Sequence, residues 1–99
     1  MIEHVVIFKW KPNASPEAID AVESGLSALK GKIAGLVDLT CGRSFSDRAQ
    51  GFQTGLVVRF IDRNALDAYG PHAAHQDVVV NLIGPIREDV IVVDYEIGA

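Results

Sequence analysis

Tyr69, His72 and His75 share one short stretch, Tyr69-Gly70-Pro71-His72-Ala73-Ala74-His75. A neutral imidazole can take a proton near pH 7, and a phenol can donate a hydrogen bond to an oxygen that is gaining charge. Together those two groups are the parts of proton chemistry beside a carbonyl. Gly70 and Pro71 must interrupt any helix that reaches Tyr69, because glycine is permissive in φ and proline lacks a donor and pushes its predecessor toward extended backbone. If a new helix starts near Ala73, His72 and His75 lie in or just before its first turn, where the positive helix end disfavours a charged ring. The plainer reading of the same residues is a core His75 with one nitrogen bonded and a solvated His72.

His4 and Asp94 are the other chemically notable pair. His4 falls on the apolar face of an N-terminal strand, and Asp94 follows the run Val90-Ile91-Val92-Val93. A carboxylate placed there is costly unless it is paired; accepting from His4 or from a backbone donor would account for it.

The elements that position these groups follow from periodicity. Ile2 to Lys11 alternates strictly, with Ile2, His4, Val6, Phe8 and Trp10 on one face; Val5 and Ile7 make the centre of the other face apolar as well. A strand that is apolar on both faces needs cover on both. Ser15 and Pro16 announce a helix, as N-cap and first residue, and Ile19, Val22, Leu26 and Leu29 give it one apolar stripe to about residue 30. Gly25 within it is expected to permit close packing on the sheet, and Gly31 to stop it. Leu36 to Ser44 reads as a strand with Val37, Leu39 and Cys41 on one face, and Phe45 to Gly51 as a polar connection. Phe52 to Ile61 is a strand with Thr54, Leu56, Val58 and Phe60 facing the core. Asp62 caps a helix from Arg63 to Tyr69, which resumes as Ala74 to Gly84 until Pro85 ends it. Val90 to Ile97 is the last strand.

The order is βαββαβ, an α+β, ferredoxin-like arrangement in one domain over residues 1–99, with an antiparallel sheet carrying both helices on one face. The opposite face presents Val5, Ile7, Val57, Val93 and Tyr95, an apolar patch in a monomer. Two such sheets packed face to face give a homodimer.

Composition narrows the partners. The chain is 48% hydrophobic and 22% charged with net charge −4, so it folds, and it offers no basic footprint for nucleic acid. No apolar run approaches the ~20 residues that span a bilayer, and no signal peptide is visible. Cys41 is the single cysteine, which excludes an internal disulfide and fits a reducing, cytoplasmic setting. His4, His72, His75 and Asp94 are residue types that bind metal, but HxxH spacing is common by chance and no glutamate base accompanies it; neither a metal nor another cofactor is expected.

His4-Val5-Val6-Ile7-Phe8-Lys9-Trp10-Lys11, Tyr69 with His72-Ala73-Ala74-His75, and Val92-Val93-Asp94-Tyr95 together resemble the stress-responsive α/β-barrel domain (Dabb) family over nearly the whole chain. The resemblance implies a homodimer whose two ferredoxin-like sheets form a barrel. Within the family it is to the olivetolic acid cyclase-like proteins, cofactor-independent polyketide cyclases that close a poly-β-ketone chain by aldol condensation. It then implies that Tyr69 and His75 are catalytic, with His4 and Asp94 in the pocket. In the family the first histidine of the middle motif is commonly followed by proline; here Pro71 precedes His72. The expected site is an apolar slot between sheet and second helix, with Val6, Phe8, Leu56, Val58, His4, His72 and Asp94 contacting a hydrophobic carbonyl compound. The expected chemistry is cyclase-like or isomerase-like; the alternative is a dimer that binds a small ligand, or protects under stress, without turnover.

Overall fold

The computed structural model describes residues 1–98. Its strands are β1 (Ile2–Trp10), β2 (Leu36–Arg43), β3 (Thr54–Phe60) and β4 (Arg87–Glu96), and its helices α1 (Pro16–Ser27), α2 (Arg63–Tyr69) and α3 (Ala73–Val78), the last running into a π-helical turn over Val79–Ile83. All strand pairs are antiparallel, in the order β2-β3-β1-β4. This is the ferredoxin-like sheet, with the first and third strands inside and the second and fourth at the edges. No helix is long and apolar enough to cross a membrane, among the described residues.

Alternation sets which residues meet. Ile2, Val6, Phe8 and Trp10 of β1 and Leu56, Val58 and Phe60 of β3 are buried, and Ile19, Val22 and Leu26 of α1 close over them. Ser15 accepts from the Ala18 amide and Asp62 from the Ala65 amide, so both expected N-caps satisfy an orphan helix donor. α1 is shorter than its apolar stripe; it ends at Ser27 and continues as turns that still bury Leu29, with Gly31 at φ +86°. A β-carbon on Gly25 would meet Leu82 Cδ1 at 2.9 Å and Val78 nearby, so the close approach is to α3 and the π turn and not, as expected, to the sheet.

Three further departures arise from local irregularities. Between Leu36 and Asp38 the β2 register slips against β3, and the extra residue, Val37, leaves the core face and is exposed. Periodicity predicts one α-helix from Ala74 to Gly84; instead the backbone widens after Val78, and the Gly84 amide bonds to the Val79 carbonyl five residues back. β4 begins at Arg87, not Val90: Asp89 still pairs in register with Lys9, and a second irregularity at Lys9/Trp10 lets Arg87 pair with Trp10 while Glu88 stays unpaired.

A polar chain ties the sheet to α1. Trp10 Nε1 donates to Thr54 Oγ1 (2.9 Å), the Thr54 hydroxyl donates to Glu23 Oε2 (2.7 Å), and Arg43 Nε donates to the same oxygen (2.9 Å). Thr54 is only 1% exposed, so its hydroxyl has no access to water if that acceptor is lost. Glu23→Ala is therefore expected to cost about 1–3 kcal/mol, the usual penalty for stranding a buried donor. A lowered urea midpoint at unchanged slope would show it; a midpoint equal to that of the native chain would contradict it.

The face away from the helices is not covered. Val57, Ile91, Val93 and Tyr95 are exposed large apolar residues there, and Val92 is exposed on the other face of the same edge strand. β4 thus lies open on both sides.

Candidate functional site

Tyr69 closes α2 and turns inward, 2% exposed, over the helix-side face of the sheet. Its ring meets Phe60 edge-on at 5.1 Å between centroids, His4 edge-on at 5.8 Å, and His75 in a tilted arrangement at 4.2 Å. The aromatic walls fix the ring while its hydroxyl, buried, finds no hydrogen-bond partner among the described residues. Burial above all drives its pKa up, to about 12, with a smaller contribution from Cys41. The phenol therefore stays a neutral donor throughout the physiological range.

His75 reaches this point because the chain breaks after Tyr69. Gly70 keeps helical φ and ψ, His72 becomes the N-cap of α3 at ψ 134°, and its Nδ1 accepts from the Ala74 amide. One turn on, His75 Nδ1 lies 2.9 Å from the Gly70 carbonyl oxygen. A carbonyl only accepts, so Nδ1 carries the hydrogen and Nε2 of the neutral ring is left with a free lone pair. Burial lowers the His75 pKa below its ordinary 6.5, the bond to Gly70 opposes that shift, and His4 and His72 add to it. The ring is thus held neutral, in the tautomer a general base needs.

His4 and Asp94 pair across β1 and β4, where the sheet register places them opposite each other. The His4 Nδ1–H donates to Asp94 Oδ1 at 2.5 Å. Asp94 thereby fixes the ring orientation of His4; its own side chain is exposed, so the burial cost expected for a carboxylate after the apolar run does not arise.

Tyr69, His75 and His4 line a cavity of about 280 Å³, bounded also by Val6, Phe8, Leu26, Leu56, Leu66, Gly70, Val79, Ile83, Arg87, Val90 and Val92. Of the residues expected at a site, His4, Val6, Phe8, Leu56, Tyr69 and His75 come together in this wall. Val58, Asp94 and His72 do not. Val58 is wholly buried opposite His4 in the β1–β3 ladder, Asp94 acts behind His4, and His72 is spent on capping α3. Val79, Ile83 and Arg87 join the wall without a signal in the periodicity, since their places depend on the π turn and on the early start of β4. Among the described residues no three His, Cys, Asp or Glu side chains are grouped to hold a metal ion. Cys41 lies half-buried at the sheet edge, and burial raises its thiol pKa to about 11, so it is not a thiolate nucleophile at neutral pH.

An unpartnered buried hydroxyl costs stability, and removing it should return that cost. Tyr69→Phe is expected to stabilise the fold by about 1 kcal/mol, because the phenyl ring keeps the packing and sheds the unsatisfied oxygen. Thermal unfolding of the two proteins tests this; a fall in Tm would mean that the hydroxyl already has a partner.

The stress responsive A/B barrel domain model matches residues 2–97. Among curated proteins the chain is 30% identical over 95 residues to a stress-response A/B barrel domain-containing protein of Arabidopsis thaliana, covering 96% of this chain and 36% of that protein. The chain thus spans about a third of the length of that relative. Among solved structures, a dimeric ferredoxin-like protein of unknown function from Thermobifida fusca superposes with TM-score 0.86 at 23% identity, covering 97% of this chain and 90% of that one. A hydroxynitrile lyase from Passiflora edulis superposes with TM-score 0.84 at 19% identity, covering 98% and 93%. Sequence and architecture agree: the chain belongs to the stress-responsive A/B barrel domain family.

Proposed function

We propose that this chain forms a homodimer with a small hydrophobic pocket and is a cofactor-independent enzyme acting next to a carbonyl, in the manner of a polyketide cyclase or an isomerase. One observation carries the reading: Tyr69 and His75 line the cavity with ring centroids 4.2 Å apart, the Tyr69 hydroxyl buried without a partner among the described residues and the His75 Nδ1–H committed to the Gly70 carbonyl. A fold selected for stability alone does not keep an orphaned hydroxyl in its interior. His75 Nε2 would take a proton from the carbon next to the carbonyl. The electron pair left behind moves into the C–C bond, charge collects on the carbonyl oxygen, and the Tyr69 hydroxyl donates to it. The resulting enolate can attack a second carbonyl of the same chain, or be reprotonated at another position. His4, oriented by Asp94, would position the substrate. That a hydroxynitrile lyase is built on this fold supports a catalytic reading at the level of architecture only. The lone, half-buried Cys41 suits a reducing cytoplasm.

The test is uptake of solvent deuterium at the carbon between the carbonyls of a medium-chain β-diketone, followed by mass spectrometry against a buffer blank. The native protein should accelerate exchange, and Tyr69→Phe should reduce that acceleration at least tenfold while folding at least as stably. No acceleration by the native protein, with ligand still bound, would overturn the enzyme and leave the dimer that binds without turnover.

A further inference from the structure

Arg87 is the one cation in the cavity wall, and a backbone irregularity puts it there. From Val5↔Val93 to Lys9↔Asp89 the β1–β4 ladder is regular, so Val90, Val92 and Asp94 share the face of His4 and Phe8, while Asp89 and Ile91 take the other. Continued without interruption, that alternation would send Arg87 to the outer face. Instead the register jumps from Lys9↔Asp89 to Trp10↔Arg87, leaving Glu88 unpaired. Arg87 thereby shares the face of the buried Trp10 and lines the cavity, though it is itself exposed. Bulges beside functional sites commonly re-aim a side chain in this way.

The charge is also uncommitted. Arg43, Arg59 and Arg63 each hold a carboxylate at 2.8 to 2.9 Å, whereas Arg87 makes no ion pair or side-chain hydrogen bond among the described residues. The rest of the wall is apolar apart from Tyr69, His75 and His4. A guanidinium is a planar fork of donors that matches a carboxylate bidentately, and such charge-assisted bonds are stronger than neutral ones.

We propose that Arg87 anchors an ionised carboxylate at the open end of the cavity, so that the ligand is a medium-chain oxo acid with its ketone at Tyr69 and His75. This rests on the carbonyl-site reading above and names its substrate class. The ~280 Å³ interior suits a ligand of that size.

Calorimetric titration of 4-oxononanoate and its methyl ester into the native protein and Arg87→Gln separates the two ideas. The native protein should bind the acid at least tenfold more tightly than the ester. Arg87→Gln should erase that preference while keeping ester affinity within twofold, which also shows that the variant is folded. Equal binding of acid and ester by the native protein, or an acid preference that survives in Arg87→Gln, overturns the anchor and leaves the cavity reading standing. Binding of neither compound overturns both.

Discussion

Replacing His75 by alanine should reduce carbon-acid exchange by about 10² to 10⁴, the range a positioned general base contributes. The loss should be chemical and not structural, since His75 makes a single side-chain hydrogen bond, to Gly70. Added imidazole should restore part of the activity through the vacated space, an outcome that a folding defect would not produce. The pH profile carries a second signature. The base works only when neutral and its pKa lies below 6.5, so the rate should rise with pH through a midpoint on the acid side of that value. It should then stay level until the Tyr69 hydroxyl ionises at about 12. Stability follows the same sign. A histidine whose folded pKa is depressed binds its proton more readily in the unfolded chain, so its contribution is complete above about 6.5 and is lost as the pH falls toward the folded value. A variant with the native rate and an unchanged profile would remove His75 from the mechanism.

The parts of this site that could be read in the sequence are those fixed by local rules. Strict alternation in Ile2–Trp10 assigns His4 to the core face and offers it, beside a backbone donor, as a partner for Asp94; the His4–Asp94 bond is what results, with the carboxylate exposed and not buried. Ser15, Pro16 and Asp62 mark helix starts because orphan amides need acceptors there. What escapes such rules is register. The slip at Leu36/Asp38 exposes Val37, and the jump at Lys9/Trp10 turns Arg87 inward, because a bulge is a property of two paired strands and leaves little trace in either. The π turn over Val79–Ile83 escapes for a related reason: it differs from an α-helix by one residue per turn, and its apolar run fits both. His72 shows how proximity in sequence misleads. Three residues from His75, it faces its own helix end instead of the cavity, since an N-cap must aim its acceptor at the Ala74 amide.

Val93→Asp should convert the proposed dimer into a monomer, or weaken it by a factor of a hundred or more. Val93, Ile91 and Tyr95 stand 52%, 46% and 49% exposed in the isolated chain, on the face expected to meet the second copy. In a two-fold interface each substitution counts twice. Fully burying one valine side chain is worth about 1.5–3 kcal/mol, and Val93 is half exposed, so losing two such burials forfeits roughly 1.5–3 kcal/mol before the cost of two desolvated carboxylates is added. At about 1.4 kcal/mol per tenfold, the lost burial alone is worth about tenfold or more in Kd, and the two stranded carboxylates carry the effect past a hundredfold. Sedimentation equilibrium should give the native chain twice its 10.7 kDa mass and the variant close to the single value. The consequence reaches the cavity. Val90, Val92 and Arg87 form its wall along β4, an edge strand with exposed apolar residues on both faces, so a second copy that packs on the outer face and reaches around this edge would also shield the site from water. Exchange activity should therefore fall in Val93→Asp although every residue of the Tyr69–His75 pair is intact, because water entering beside β4 weakens the hydrogen bond to the developing oxyanion. Full activity in a monomeric variant would show that the pocket is complete within one chain, and native sedimentation at the monomer mass would remove the dimer itself.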